Sequence, residues 1–140
     1  MERLTEPVIE WKAMRWEPAG DDDALVGMLG PQIDVLEWHD DAIVLGPEAV
    51  RLAQTDAPAC SVFRCGAAAW GSQMHVEMGP EFLGALLDDP AERANIAAAG
   101  YTLEGFREEG LRRLPAQMEI GRTILGRFVA VVARRAFSPA

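Results

Sequence analysis

The order of elements along the sequence predicts a mixed fold of strands followed by helices. Short apolar and β-type runs separated by turn residues fill the first half, whereas runs with helical spacing follow Gly79-Pro80. The chain has 140 residues, which is the size of one domain. By order alone, strands first and helices later favour the α+β class.

The first half is predicted as a series of closely spaced strands. The first strand lies between Pro7 and Pro18 and has the sequence VIEWKAMRW, which alternates roughly with period two. After a loop with one helical turn, IDVLEWHDDAIVLG predicts two short strands that pivot at His39-Asp40-Asp41 and end at Gly46-Pro47. The β-type runs AVRLAQT and CSVFRCG follow, and residues 66–69 then turn the chain into a buried strand, WGSQMHV.

The second half is predicted as helices, each marked by its own start or stop residue. Pro80 suits the first turn of PEFLGALLDD, and the next helix begins at Pro90 and ends at Gly100. Thr102 is a candidate N-cap for a third helix, TLEGFREEGLRRL, which Pro115 is expected to end. The last helix, residues 116–135, has apolar residues at helical spacing, namely Ile120, Ile124, Leu125, Phe128, Val131 and Val132.

Composition and charge argue against several classes of protein. The net charge of −9 argues against a nucleic-acid partner, because phosphate binding needs clustered Lys and Arg. No apolar run approaches the roughly 20 residues that span a bilayer, so no membrane segment is expected. The N-terminus has no charged-then-apolar leader, and the two cysteines, Cys60 and Cys65, provide neither a disulfide framework nor a zinc site. A cytoplasmic protein without a bound metal is therefore expected.

The stretch WGSQMHVEM places a histidine and a glutamate two positions apart at the end of the last predicted strand. In an ideal strand, residues i and i+2 point to the same side, so His75 and Glu77 can converge. The histidine can then act as a general base, while the carboxylate fixes its tautomer and stabilises the imidazolium. A surface pair on a turn is the alternative, and these two residues alone leave both interpretations open.

A longer stretch resembles the C-terminal half of the class I glutamine amidotransferase domain, most closely the stand-alone domains of the GMP-synthase-like type. It comprises VLEWHDDAIVLGPEAVRLAQTD, then SVFRCGAAAWGSQMHVEM, then a helix. In that family a WHGD hairpin precedes apolar strands and a G-x-Q-F-H-P-E strand end, which carries the histidine and glutamate of a Cys-His-Glu triad. The resemblance runs from about Val8 through Leu87 and is looser in the C-terminal helices.

The resemblance implies an α/β fold in which residues 1–140 form one partial domain, the C-terminal portion of a three-layer, flavodoxin-like domain. It implies that His75 is the general base and Glu77 its orienting partner. The glutamine pocket would be lined by Trp38, His39 and Asp40. The implied activity is hydrolysis of the glutamine side-chain amide through a γ-glutamyl thioester, with release or transfer of ammonia. This chemistry needs no metal and no organic cofactor.

Three features depart from the family pattern. Val76 stands where the family usually has proline, and Asp40 stands where WHGD has glycine. The largest departure is the nucleophile, since the family's cysteine lies on a G-x-C-x-G elbow upstream of the histidine and this sequence has no such motif. Cys60 is a candidate replacement, because a hairpin turning at residues 66–69 places it roughly opposite His75. A cysteine between apolar neighbours in mid-strand is more commonly an inert core residue.

The missing elbow leaves three interpretations. The chain is part of a longer glutamine amidotransferase-like protein, or a short non-catalytic module with an assembly or regulatory role, or an unrelated α+β protein with a chance H-x-E. In the first two cases, loss of central parallel strands would uncover apolar surface, so a homodimer is expected. The residues expected to lose their cover are Ile9 and Trp11, or Met14 and Trp16, on the first strand, and Ile124, Phe128 and Val132 on the last helix.

Overall fold

The computed structural model describes residues 1–56 and 60–136 and shows a mixed α/β fold with one curled antiparallel sheet. The strands of the described part are β1 (Glu2–Trp16), β2 (Gln32–Ala42), β3 (Ala49–Gln54), β4 (Cys60–Cys65) and β5 (Ala69–Ser72). They pair in the order β2-β1-β3-β4-β5, and each neighbouring pair is antiparallel. The helices are α1 (Pro18–Asp21), α2 (Pro80–Asp88), α3 (Pro90–Ala98) and α4 (Leu103–Ala136).

The two longest strands, β1 and β2, pair along most of their length, with Ile9 opposite Trp38. The predicted pivot at His39-Asp40-Asp41 is wrong, because these residues continue β2 as a single strand. Contacts with the start of β1 explain the continuation. Arg3 lies opposite Asp41 in the ladder, and its guanidinium forms ion pairs with Asp40 (2.9 Å) and Asp41 (3.8 Å).

The predicted hairpin of β4 and β5 is confirmed. Cys65 lies opposite Ala69, and Gly66 adopts a left-handed conformation in the turn (φ +60°), which costs glycine little. The second strand of the hairpin is shorter than predicted, since β5 ends at Ser72. Beyond it, the Ser72 hydroxyl donates to the Met74 carbonyl (2.9 Å), a local bond that replaces pairing with another strand.

Helices α2 and α3 confirm the predicted starts at proline. Pro80 and Pro90 lie in the first turn, where the helix does not need the missing N–H. Asp89 caps α3, because its carboxylate accepts a hydrogen bond from the Ala91 N–H (2.7 Å). Gly100 follows the end of α3 in a left-handed conformation (φ +88°), as expected of a helix stop.

One helix, α4, replaces the two helices predicted on either side of Pro115, so that prediction is wrong. Its start is as predicted, since the Thr102 hydroxyl accepts from the Gly105 N–H (3.1 Å). Pro115 is tolerated because it is exposed, and the carbonyl that loses its partner belongs to Leu111, which is exposed too. The buried face of α4 comprises Phe106, Gly110, Leu114, Gln117, Gly121 and Ile124. Neither α4 nor another helix of the described residues is long and apolar enough to cross a membrane.

The two faces of the sheet contribute to different apolar clusters. Val35 and Leu36 are neighbours on β2 that point to opposite faces, and they belong to the two different clusters. Helix α4 contributes side chains to both clusters, which ties the sheet to the helical half. Ile9 and Met14 are also fully buried, so the expectation that the first strand lies uncovered is wrong.

Candidate functional site

His75 lies in a turn just beyond β5, and not within a strand as predicted. The last strand-like contact of this segment joins the Gln73 N–H to the Ser61 carbonyl (2.7 Å). The Met78 N–H then donates to the His75 carbonyl (3.4 Å), which closes the turn. His75 and Glu77 are therefore brought together by a turn, and the alternation of a strand is not what pairs them.

The side chains of His75 and Glu77 form a short contact, with 2.7 Å between Nδ1 and Oε1. The His75 side chain is 26% exposed and that of Glu77 is 55% exposed, so solvent reaches the pair. Burial acts to raise the pKa of Glu77, but the hydrogen bond from His75, a backbone hydrogen bond and the nearby imidazole charge lower the pKa below its ordinary value. Glu77 is thus held as a carboxylate that orients the His75 ring.

The second ring nitrogen of His75 contacts the main chain of β2, with 3.1 Å between Nε2 and the Trp38 carbonyl oxygen. Both contacts are with oxygen acceptors, and a neutral imidazole, with its single N–H, donates to one of them at a time. The Phe82 ring packs beside the imidazole with 6.0 Å between ring centroids. The ring is therefore held on three sides, by a turn residue, by a strand and by helix α2.

The three residues predicted to line a glutamine pocket lie side by side on β2 and point to different surroundings. The Trp38 indole packs edge-on against Phe106 (5.6 Å between centroids) and donates to Glu92 (3.2 Å). The His39 side chain is only 7% exposed, whereas Asp40 forms an ion pair with Arg3 at the surface. The structure brings the Trp38 main chain to His75, while the pocket role of the three side chains stays a prediction.

A second histidine–glutamate pair lies on β2 and was not predicted. His39 Nε2 is 2.7 Å from Glu37 Oε2, and the side chain of Glu37 is 2% exposed. The other carboxylate oxygen of Glu37 accepts from the Ser61 hydroxyl (3.2 Å), and that hydroxyl accepts from the Thr55 N–H (3.1 Å). Within residues 1–56 and 60–136, the buried His39 Nδ1 has no hydrogen-bond partner. The signal in the sequence was the E-x-H spacing, which in a strand places both side chains on one face.

Sequence reasoning also missed Gln117, which is 2% exposed on helix α4. Its carboxamide oxygen accepts from the Leu36 N–H (2.9 Å), and its nitrogen donates to the His75 carbonyl (2.7 Å). A polar residue on the apolar stripe that includes Leu114 and Ile124 was the available signal, because such a group is buried only when it is hydrogen-bonded.

Neither cysteine is arranged as a nucleophile for His75. Cys60 is fully buried in β4, and its thiol donates to the Val62 carbonyl (3.3 Å). Burial raises the pKa of this thiol, an effect that Arg51 opposes only in part. Cys65 is exposed at the turn end of the β4–β5 hairpin, whereas His75 follows the opposite end of β5. In the described ranges, no cluster of three or more His, Cys, Asp or Glu side chains is arranged to hold a metal.

An apolar groove of about 150 Å³ adjoins the His75–Glu77 turn. It is lined in part by Met74 and Val76, the two neighbours of His75 in the chain. Its other side is formed by Trp70, Ile124, Leu125 and Phe128, together with residues of the α1–β2 connection and β4. Phe128 is 41% exposed and Val132 49% exposed, so the expectation of an uncovered last helix holds for this part of α4, whereas Ile124 is largely buried.

Solved structures with a similar fold include two glutamine amidotransferases. One, from Thermotoga maritima, has a TM-score of 0.75 and 20% identity over 91% of this chain and 54% of that one. Another, from Methylobacillus flagellatus, has a TM-score of 0.71 and 16% identity, with 91% and 54% covered. This chain has a glutamine amidotransferase fold. A putative GMP synthase protein from Thermoplasma acidophilum also matches, with a TM-score of 0.61, 14% identity, and 96% and 49% covered.

The glutamine amidotransferase resemblance found in the sequence is thus confirmed at the level of the fold. The chain spans about half the length of the solved structures that it matches, which fits the prediction of a partial domain. No protein-family model matches the sequence, and no curated protein is similar to it. The similarity therefore lies in the three-dimensional arrangement more than in the sequence.

Proposed function

We propose that this chain is the histidine–glutamate half of a class I glutamine amidotransferase-like domain. The observation that supports the proposal is the 2.7 Å contact between His75 and Glu77, in a chain with the fold of glutamine amidotransferases. In the complete domain, His75 acts as general base and general acid, and Glu77 orients its ring. The nucleophilic cysteine is supplied by residues outside this chain, because Cys60 is buried and Cys65 lies at the far end of the hairpin.

The proposed reaction hydrolyses the side-chain amide of glutamine in two steps. His75 Nε2 takes the proton of the thiol, and the thiolate attacks the amide carbon. The C–N bond then breaks, the nitrogen leaves as ammonia with the proton from His75, and a γ-glutamyl thioester remains. Water then adds to the thioester carbon and gives a proton to His75. The C–S bond breaks, and the leaving thiolate takes that proton back from His75, which frees glutamate and the thiol. Trp38, His39 and Asp40 are proposed to contact the glutamine, and no metal or organic cofactor takes part.

The contact between His75 and Trp38 sets a condition on this mechanism. Nε2 is the nitrogen that must receive the proton of the thiol, yet here it faces the Trp38 carbonyl oxygen. Binding of the complementing half must therefore exchange that carbonyl for the thiol, by a small rotation of the ring or a shift of the turn. Glu77 holds Nδ1 during the exchange, which keeps the ring in the correct tautomer.

The first test is a glutaminase assay on this chain by itself. We expect no release of glutamate from glutamine above the buffer rate, because His75 without a neighbouring thiol lacks the covalent route. Release that His75→Ala abolishes would contradict the proposal and would point to a nucleophile within this chain. Labelling of Cys60 or Cys65 by a glutamine-like electrophile would identify that nucleophile.

A non-catalytic module of the same fold is the second candidate function. It is favoured by the buried setting of Cys60, which leaves His75 without a reactive thiol among the described residues. The genomic sequence upstream of Met1 separates the candidates, since an in-frame G-x-C-x-G segment favours the catalytic one. The intact mass and N-terminal sequence of the natural protein test the same point.

We also infer that the chain associates with a second copy. The apolar side chains Leu125, Phe128, Val129 and Val132 are exposed along the end of α4, next to the groove. Soluble monomers rarely leave such a patch uncovered, and an obligate interface of this origin buries roughly 2,000 Å² or more.

Sedimentation equilibrium should give twice the chain mass of 15.3 kDa. Phe128→Asp should yield the monomer, and Leu111→Asp, at an exposed position nearer the start of α4, should not. A wild-type chain that stays monomeric at high micromolar concentration contradicts the inference.

A further inference from the structure

Helix α4 contacts the His75–Glu77 turn at two positions one helical turn apart. Gln117 donates a hydrogen bond to the His75 carbonyl (2.7 Å), and Gly121 lies directly against the carbonyl group of Val76. Both positions belong to the buried face of the helix. The turn that carries the candidate catalytic pair therefore rests on α4 through its own main chain.

Gln117 joins the two segments that hold the His75 ring. Its amide nitrogen binds the His75 carbonyl, and its oxygen accepts from the Leu36 N–H on β2 (2.9 Å). Two residues further along the same strand, the Trp38 carbonyl oxygen lies 3.1 Å from His75 Nε2. These three contacts form a closed circuit through the turn, the helix and the strand. A shift of the turn relative to β2 must break at least one of them.

Gly121 allows α4 to approach the turn at this distance. A Cβ atom added at this position would overlap the Val76 carbonyl oxygen and lie 3.1 Å from the carbonyl carbon. These are main-chain atoms, which cannot rotate away as a flexible side chain can, so the turn itself would have to move. At Gly126, five residues further along the same helix, an added Cβ would meet no atom of the described residues within 4 Å, apart from its chain neighbours and the backbone of its own helix.

We propose that Gln117 and Gly121 are positioning residues, which set the place of the His75–Glu77 turn against β2 and so the direction of the His75 ring. Neither residue touches the reacting atoms, and each acts through the main chain of the turn. The role in catalysis rests on the function proposed above, whereas the effect on the His75 ring is a property of this chain by itself.

The test compares glycine-to-alanine variants of one helix. The chain has two histidines, so ¹⁵N labelling of histidine gives a separate set of ring signals for His75 and His39. Gly121→Ala should move the His75 ring signals toward those of a free imidazole. It should also raise the rate at which diethyl pyrocarbonate modifies His75 about fivefold, the change expected from loss of one ordinary hydrogen bond. Gly126→Ala, the matched control, should leave both readouts at their wild-type values.

A third alanine variant separates positioning from loss of stability. In Gly110→Ala the added Cβ would lie 2.6 Å from a methyl carbon of Leu83, a core side chain, and would not meet the main chain of the turn. This variant should lower the unfolding temperature without changing the His75 signals. Equal changes of His75 in Gly110→Ala and Gly121→Ala would overturn the proposal, as would a Gly121→Ala chain whose His75 behaves like that of Gly126→Ala.

Gln117→Met removes the hydrogen bonds of Gln117 to the turn and to β2. It tests whether α4 positions the turn even if Gly121→Ala does not fold. Methionine is similar in size but can neither donate to His75 nor accept from Leu36, so the same shift and the same acceleration are expected. Unchanged His75 signals in Gln117→Met would overturn the role of the circuit. The His75 ring signals and the modification rate do not depend on catalytic activity. If they contradict the positioning role, the proposed reaction is therefore not refuted. An inactive complete domain with normal His75 signals would refute the reaction and leave the positioning intact.

Discussion

The two histidine–glutamate pairs of this chain have the same spacing and the same contact distance but opposite surroundings. In both, the partners lie two positions apart along the sequence, and 2.7 Å separates nitrogen from oxygen. The pair of β2, Glu37 and His39, has side chains that are 2% and 7% exposed, and Ser61 satisfies the second carboxylate oxygen. In the turn pair, His75 and Glu77 are 26% and 55% exposed.

The difference shows that burial and backbone setting separate a structural pair from a chemically available one. The side chains of the β2 pair are almost completely buried, so we expect the pair to contribute mainly to stability. The turn pair faces solvent and is held through main-chain contacts, so its ring can exchange one acceptor for another.

The largest effect is expected on turnover in the complete domain. There, His75→Ala should lower kcat by roughly two to four orders of magnitude, the range typical of a general base. Glu77→Gln should cost less, because an amide can still hold the ring but stabilises the imidazolium poorly. Steady-state glutaminase kinetics measure both losses. Negligible effects of both changes would remove the turn pair from the mechanism.

The next prediction concerns stability, for which the β2 pair should matter more than the turn pair. His39→Leu should lower the free energy of unfolding by about 3–5 kcal/mol, because it leaves the Glu37 carboxylate buried without its partner. The same substitution at His75 should cost less than about 1 kcal/mol, since its pair is partly exposed. Urea unfolding of this chain measures both variants. Similar losses at the two positions would show that the β2 pair is not the structural one.

A double variant sharpens the stability comparison. Glu37→Leu combined with His39→Leu removes both members of the buried pair, so no unpaired charge remains. It should recover a large part of the loss caused by His39→Leu alone, because apolar replacements of a buried pair are commonly neutral or stabilising. Additive losses of the two single changes in a double-mutant cycle would argue against direct coupling between Glu37 and His39.

The smallest effect is the dependence of stability on pH that arises from Glu77. Its pKa is lowered in the folded chain, so its contribution is present in full above the ordinary value of 4.5 and is lost as pH falls through the lowered pKa. Glu77→Gln should therefore be less stable than wild type by a fraction of about 1 kcal/mol above that pH, and the difference should vanish in acid. Unfolding curves across this pH range test the sign, and a difference that grows in acid would contradict it.

Local features of the sequence predicted a large part of the fold. The starts of α2 and α3, the cap at Thr102 and the β4–β5 hairpin depend on residues within a few positions of each other, and all are confirmed. The contact between His75 and Glu77 also lies within three residues. Two of the wrong predictions, the break in β2 and the helix end at Pro115, treated turn and stop residues without their distant partners.

Local residue patterns are enough to place the starts of α2, α3 and α4 and the β4–β5 hairpin, and to bring His75 near Glu77, because caps, turns and short-range pairs act within one or two turns of chain. Tertiary packing determined that β2 continues through His39 to Asp41 beside the start of β1, and that Gln117, 42 residues from His75 and 81 from Leu36, ties the turn to the strand. It also decided that the Trp38 carbonyl faces Nε2. Such contacts join residues that no local pattern relates, and they form only once the sheet and α4 have packed together.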